Sequence, residues 1–142
     1  MKNLEIYIHI PFCVRKCEYC DFLSFPADDD AKLRYVKGLM AEMIFYGPLM
    51  KNYQVSSVYI GGGTPSSIDE QWIAALMEGV FDCFNVLPDA EISIECNPGT
   101  LSREKLLAYR DAGINRLSIG LQSANNDELK LLGRIHTFEQ FV

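Results

Sequence analysis

Apolar residues along the chain follow two spacings, one typical of β-strands and one typical of α-helices. Alternation, or a short β-branched run, predicts four strands, at residues 4–10, 55–60, 91–95 and 115–121. Helical spacing predicts helices between them, and N-terminal caps are expected at residues 28–30, at Ser67 in the capping box Ser67-x-x-Glu70, and at Ser102. The resulting order, β-α-β-α-β-α-β, predicts parallel strands joined by right-handed crossovers.

The two faces of each predicted strand differ in polarity. In the third strand Ile92 and Ile94 share one face, whereas Glu91, Ser93 and Glu95 share the other. The first and fourth strands show the same division. A doubly wound sheet, with helices on both faces, would be apolar on both. The pattern therefore favours an α/β fold that is part of a (β/α) barrel, with the polar face lining a lumen for a polar ligand.

The number of predicted strands is small for a complete barrel. A full (β/α)₈ barrel takes about 250 residues, and this chain has 142. Near the end, Thr137-x-x-Gln140 resembles a further capping box, and Phe138 and Phe141 begin a new apolar stripe. We therefore expect residues 1–142 to form the N-terminal four β/α units of one incomplete domain, truncated at the start of the next helix.

Composition and charge narrow the classes of partner. The formal net charge is −6, which argues against nucleic acid as a partner, because nucleic-acid binding needs a basic surface. No apolar run approaches the roughly 20 residues of a membrane span, and the first residues resemble no signal peptide. We expect a cytoplasmic protein without a transmembrane segment.

The cysteines indicate a metal site. The chain has five cysteines, an odd number that does not suit a disulfide scaffold. Three of them form Cys13-x₃-Cys17-x₂-Cys20, a short spacing that lets one loop hold several irons of an iron–sulfur cluster. A structural zinc site, with His9 or Cys96 as the fourth ligand, is the alternative. Three cysteines would leave one iron of a [4Fe–4S] cluster open to a cofactor or substrate.

Five motifs, in order along the chain, resemble those of one family. They are Tyr7-Ile8-His9-Ile10-Pro11-Phe12-Cys13-x₃-Cys17-x-Tyr19-Cys20-Asp21-Phe22, Gly61-Gly62-Gly63-Thr64-Pro65-Ser66, Glu95-x-Asn97-Pro98-Gly99, Arg116-Leu117-Ser118-Ile119-Gly120-Leu121-Gln122-Ser123 and Leu132-Gly133-Arg134-x-His136. Together they resemble radical S-adenosylmethionine (SAM) proteins of the oxygen-independent coproporphyrinogen III oxidase-like group. The resemblance implies the N-terminal part of a radical SAM partial (β/α) barrel.

The resemblance also implies cofactors and site residues. Cys13, Cys17 and Cys20 would ligate a [4Fe–4S] cluster whose open iron binds SAM, and reductive cleavage of SAM would yield a 5′-deoxyadenosyl radical. The electron donor would be a protein such as flavodoxin or ferredoxin. The residues implied to bind SAM lie in all five motifs: Tyr7, Tyr19, Gly62, Gly63, Thr64, Glu95, Gln122 and Arg134.

The remaining candidate ligands are expected to be structural. Cys96 shares the parity of Ile92 and Ile94 along the third strand, which predicts packing against helices. Cys83 lies between Phe81 and Phe84, where a small apolar residue suits a core. His9 is predicted to be a hydrogen-bonded, inward-facing residue.

Two branches of this group differ in activity. One oxidatively decarboxylates two propionates of coproporphyrinogen III to vinyl groups. The other, HemW, is a haem chaperone. The decarboxylase typically has a further cysteine two residues beyond the third ligand, where this chain has Phe22. The resemblance therefore favours the chaperone branch, with haem rather than a porphyrinogen as ligand, and leaves open whether the protein is an enzyme. An inactive cluster-binding fragment is a third alternative.

Overall fold

A computed structural model describes residues 1–13 and 28–120. Its strands and helices alternate along the chain: β1 (Lys2–Ile10), α1 (Asp29–Tyr46), β2 (Tyr53–Gly62), α2 (Glu70–Cys83), β3 (Val86–Cys96), α3 (Arg103–Asp111) and β4 (Arg116–Ile119). Short 3₁₀ turns occupy Gly47–Met50, Pro65–Ser67 and Pro98–Thr100. The predicted order of strands and helices is confirmed.

The four strands form one parallel sheet in the order β1-β2-β3-β4. Each strand thus pairs with the next one in sequence, and successive helices contact each other, α1 with α2 and α2 with α3. In a doubly wound sheet the strand order reverses after the first strands, and helices cover both faces of the sheet. The order instead matches a segment of a (β/α) barrel, as the polarity of the strand faces predicted.

The hydrophobic core lies between the sheet and the three helices. Each of the first three strands sends alternate apolar residues into it, and all three helices contribute: Ile8, Ile10, Val58, Ile60, Ile92, Ile94, Val36, Met43, Leu76, Met77, Val80 and Tyr109. The opposite face of the same strands carries polar side chains, among them Tyr7, Tyr59 and Glu95. The sheet therefore has one apolar, helix-covered face and one polar face.

Two of the three predicted helix caps are confirmed. The Asp28 side chain accepts a hydrogen bond from the Ala31 amide, and the Ser102 side chain accepts one from the Lys105 amide. The predicted cap at Ser67 is wrong. Asp69 caps α2 instead, accepting from the Gln71 amide, because the chain first makes the 3₁₀ turn of Pro65–Ser67.

The apolar face of β4 is less covered than that of the other strands. Leu117 and Ile119 are each 38% exposed, and they line a groove with Leu106 of α3. The predictions of a helical turn at residues 127–132 and of a further capping box at Thr137 lie outside the described residues. Among the helices that the structure describes, none is both long and apolar enough to cross a membrane.

Candidate functional site

Most of the predicted site residues that the structure describes lie at or near the carboxyl ends of adjacent strands. In a parallel sheet these ends meet at one edge, which in (β/α) barrels is the functional edge. Cys13 lies just beyond β1, Gly62 ends β2 with Gly63 and Thr64 following, and Glu95 lies near the end of β3. The register pairs Ile10 with Gly62, and Glu95 with Ser118. These residues therefore lie along one edge of the sheet, and Tyr7 lies three residues before the end of β1.

Backbone hydrogen bonds join the glycine segment to the start of the cysteine segment. The Gly63 amide donates to the Ile10 carbonyl at 2.8 Å, and the Thr64 amide donates to the Phe12 carbonyl at 2.6 Å. Cys13, the next residue, is only 6% exposed. The position of this cysteine is thus coupled to that of the glycine segment.

Glycine is required at residues 61–63 because neighbouring backbone and side-chain atoms lie too close for a Cβ. Gly62 has a φ of +119°, which favours glycine, and a Cβ there would lie 2.7 Å from the Ile10 carbonyl oxygen. A Cβ on Gly63 would lie 2.5 Å from the Phe12 carbonyl oxygen. A Cβ on Gly61 would lie 2.9 Å from Oε1 of Glu95. The absence of side chains here allows the glycine segment to approach both the cysteine segment and the Glu95 carboxylate.

An aromatic and acidic cluster occupies the polar face beside this edge. The Tyr59 hydroxyl donates to Oε1 of Glu95 at 2.7 Å, and the Tyr7 ring stacks on that of Tyr59 with 6.1 Å between centroids. The Tyr7 hydroxyl and Nδ1 of His9 are 3.1 Å apart. Burial, reinforced by the neighbouring Glu95 carboxylate, raises the pKa of both tyrosines. Both phenols are therefore neutral at physiological pH and can donate hydrogen bonds.

Charged groups continue along this face, further from the functional edge. The Arg116 guanidinium lies 3.8 Å from the Glu91 carboxylate and donates to the Ser93 hydroxyl at 3.3 Å. Because this ion pair is more than half exposed, it contributes little to stability. It does give the face both signs of charge, which suits a polar ligand.

The other described cysteines lie on the apolar side. Cys96 is 5% exposed in the core, and burial raises the pKa of its thiol to about 12. The Cys96 side chain thus lies on the helix-covered face, opposite the polar face that carries Tyr7 and His9. Cys83 packs against the same core. His9 lies within hydrogen-bond distance of Tyr7 on the polar side. The core positions of Cys96 and Cys83 and the polar-face position of His9 are as predicted.

Several predicted site residues lie outside the described residues: Cys17, Tyr19, Cys20, Gln122 and Arg134. Within residues 1–13 and 28–120, no three or more His, Cys, Asp or Glu side chains are grouped so that they could hold a metal ion.

Sequence reasoning overlooked Tyr59. It lies near the end of the second predicted strand, between the apolar residues Val58 and Ile60. Its parity carried the useful signal, because it opposes the two buried residues on either side of it. An aromatic hydroxyl at that position belongs to the same face as Glu95.

Comparison with known proteins agrees with this geometry. Residues 7–142 match the family model of the radical SAM superfamily. The chain is 42% identical over 139 residues to "Heme chaperone HemW" of Escherichia coli, covering 94% of this chain and 35% of that protein. It is 40% identical over 138 residues to the bovine "Radical S-adenosyl methionine domain-containing protein 1, mitochondrial", covering 96% of this chain and 31% of that protein.

A solved structure shares the fold. The coproporphyrinogen III oxidase HemN from Escherichia coli, described as a radical SAM enzyme, superposes with a TM-score of 0.90 at 33% identity, over 99% of this chain and 32% of that one. The chain thus spans about a third of the length of these relatives. Because the family model covers nearly the whole chain, this chain belongs to the radical SAM superfamily.

Proposed function

We propose that this chain binds a [4Fe–4S] cluster through Cys13, Cys17 and Cys20, and SAM beside it. Family membership implies both cofactors in general. The observation that supports them here is the pair of backbone hydrogen bonds from Gly63 and Thr64 to the residues just before Cys13. A cysteine thiol, a close-packed glycine segment and a carboxylate share one edge, and this set of groups fits a cluster and an amino-acid-bearing nucleoside.

Several residues of the chain would each contact a different part of SAM. When bound, the cluster supplies the electron that cleaves the sulfonium of SAM. Glu95, oriented by the Tyr59 hydroxyl, would accept hydrogen bonds from polar groups of SAM, as would Gln122. Gly62, Gly63 and Thr64 would lie against its methionyl part.

Other residues would complete the SAM site. Arg134 would pair with the SAM carboxylate in a charge-assisted contact. Tyr7 and Tyr19 would flank the cofactor, and the neutral Tyr7 phenol would present an apolar ring with a hydrogen-bonding hydroxyl. A protein of the flavodoxin or ferredoxin type would supply the electron. We place this activity in the cytoplasm, where thiols stay reduced.

For the whole protein we propose a haem chaperone like HemW. The support is the 42% identity to the Escherichia coli chaperone, together with Phe22 in place of the further cysteine typical of the decarboxylase. The second candidate is oxidation of coproporphyrinogen III, which the close structural match to HemN favours. Haem binding without turnover distinguishes the first; vinyl product from coproporphyrinogen III distinguishes the second.

The cluster is tested by anaerobic reconstitution with iron and sulfide. We expect about four irons per chain, and loss of the cluster in Cys13→Ala, because a three-cysteine site cannot spare a thiolate. Cys83→Ala is the matched control and should keep its iron. Iron retained by Cys13→Ala, or lost from Cys83→Ala, would refute the ligand assignment. Parallel haem-binding and decarboxylation assays on the reconstituted full-length protein then separate the two candidate functions.

A further inference from the structure

A buried ring of polar groups joins the segments that follow β2 and β3. The backbone amide of Asn97 donates to the Ser66 hydroxyl at 3.0 Å, and the Ser66 and Thr100 hydroxyls are 2.5 Å apart. The Thr100 hydroxyl lies 2.8 Å from the Asn97 carbonyl. Ser66 is completely buried and Asn97 is 5% exposed. Unsatisfied groups in such a place would be costly, so the ring fixes how the two segments meet.

The direction of each hydrogen bond follows from the available protons. A carbonyl can only accept, so Thr100 must donate its single hydroxyl proton to Asn97. Because the Thr100 proton is used in that bond, Thr100 can only accept from Ser66, so the Ser66 hydroxyl donates to Thr100 while it accepts from the Asn97 backbone amide. Every polar group in the ring is satisfied, which makes it rigid.

Lys105 holds the ring from outside. Its ammonium, carried by α3, donates to the Ser66 backbone carbonyl. Burial lowers the pKa of Lys105, and the acidic residues Glu70 and Asp69 oppose that shift. The start of α3 is in turn fixed by Ser102, whose hydroxyl accepts from the Lys105 amide at 3.1 Å. A charged donor in a half-buried position is thus directed at one backbone carbonyl of the turn that follows the glycine segment.

Ser66 and Asn97, which this network joins, each lie two residues from a candidate SAM contact. Ser66 follows Thr64 by two residues, and Asn97 follows Glu95 by two. We propose that Lys105 and Ser66 are positioning residues, which keep the glycine segment and the end of β3 in the register that lets Thr64 and Glu95 contact one SAM molecule. This inference rests on the proposed function, since it assumes that SAM binds at this edge.

The test compares Lys105→Met with Lys105→Arg in the reconstituted protein. Methionine keeps the length and apolar stem but removes the donor, and arginine restores a charged donor. We expect Lys105→Met to weaken SAM binding about tenfold by calorimetry, with unchanged iron content, and Lys105→Arg to recover most of the affinity. Arg110→Met is the matched control, because it removes a positive charge from the exposed side of the same helix. It should bind SAM like wild type.

Hydrogen exchange on the protein without its cluster gives an independent readout. The Ser67 and Ile68 amides, which donate to Thr64 and Pro65 within the turn, should exchange faster in Lys105→Met and not in Arg110→Met. If Lys105→Met showed faster exchange but bound SAM like wild type, Lys105 would have only a structural role and the inference would be wrong. Wild-type exchange together with wild-type SAM affinity in Lys105→Met would also overturn the inference. Iron lost together with SAM affinity would also overturn it. A wild-type protein that holds its cluster but does not bind SAM would instead overturn the proposed function.

Discussion

The contact between the glycine and cysteine segments can be tested with a single methyl group. In Gly63→Ala the new Cβ would lie 2.5 Å from the Phe12 carbonyl oxygen, whereas ordinary contacts begin near 3.4 Å. The two segments must therefore separate by most of an ångström. Overpacking of this kind costs roughly 1–3 kcal/mol.

Separation also strains the two hydrogen bonds that Gly63 and Thr64 donate to Ile10 and Phe12. Each is worth about 0.5–1.5 kcal/mol net. The loss then totals roughly 2–6 kcal/mol, a large part of the stability of an ordinary domain. Because Cys13 follows Phe12 directly, iron content after reconstitution should fall as well.

The assay is urea unfolding followed by circular dichroism, with iron determined on the same samples. Gly38→Ala is the matched control, because nothing lies within 4 Å of a Cβ at this position in α1. It should stabilise the protein by about 0.5–1 kcal/mol, since glycine is unfavourable inside a helix. A Gly63→Ala protein as stable as wild type and fully loaded with iron would refute the reasoning.

Two further predictions concern the proposed SAM contacts and the buried Cys96 thiol. Glu95→Ala should weaken SAM binding about tenfold or more by calorimetry, because a hydrogen bond to a charged group is worth about 1.5–3 kcal/mol; Gln122→Ala should do the same. Glu91→Ala is the control and should bind SAM like wild type. Wild-type affinity in both Glu95→Ala and Gln122→Ala would contradict the site. On the other face, burial raises the pKa of Cys96 from 9.0 to about 12. The neutral thiol favours the folded state, so stability should fall between pH 9 and 12 as the unfolded thiol ionises. Cys96→Ala should flatten that decline, and identical alkaline profiles of unfolding free energy would contradict the burial argument.

Most of the fold could be predicted from the sequence because the polarity of a strand face depends on its surroundings: the face that packs on helices is apolar, and the opposite face is polar. Ile92 and Ile94 alternate with Ser93 and Glu95, and the sheet has one apolar and one polar face accordingly. The start of β3 was placed five residues late, at Glu91 rather than Val86. Pro88 and Asp89 interrupt the alternation there, and pairing with β2 resumes regularly only at Glu91.

The candidate site was predictable from its motifs, but its internal contacts were not. Helix capping was misassigned at Ser67 because the capping-box pattern does not reveal a preceding 3₁₀ turn, which moves the cap to Asp69. The contact of Lys105 with Ser66 joins residues 39 positions apart. Such a contact depends on how α3 packs, which no local spacing records.

The order of the strands has a consequence for folding. Ile8 pairs with Ile60, Ile60 with Ile94, and Ile94 with Leu117. The loop that must close is therefore longest for β1 with β2 and shortest for β3 with β4. Since closure entropy grows with loop length, we expect the C-terminal pairs of this sheet to form readily and β1 to join late. The segment that carries the cysteines would then be fixed to the glycine segment only after the rest of the sheet has formed.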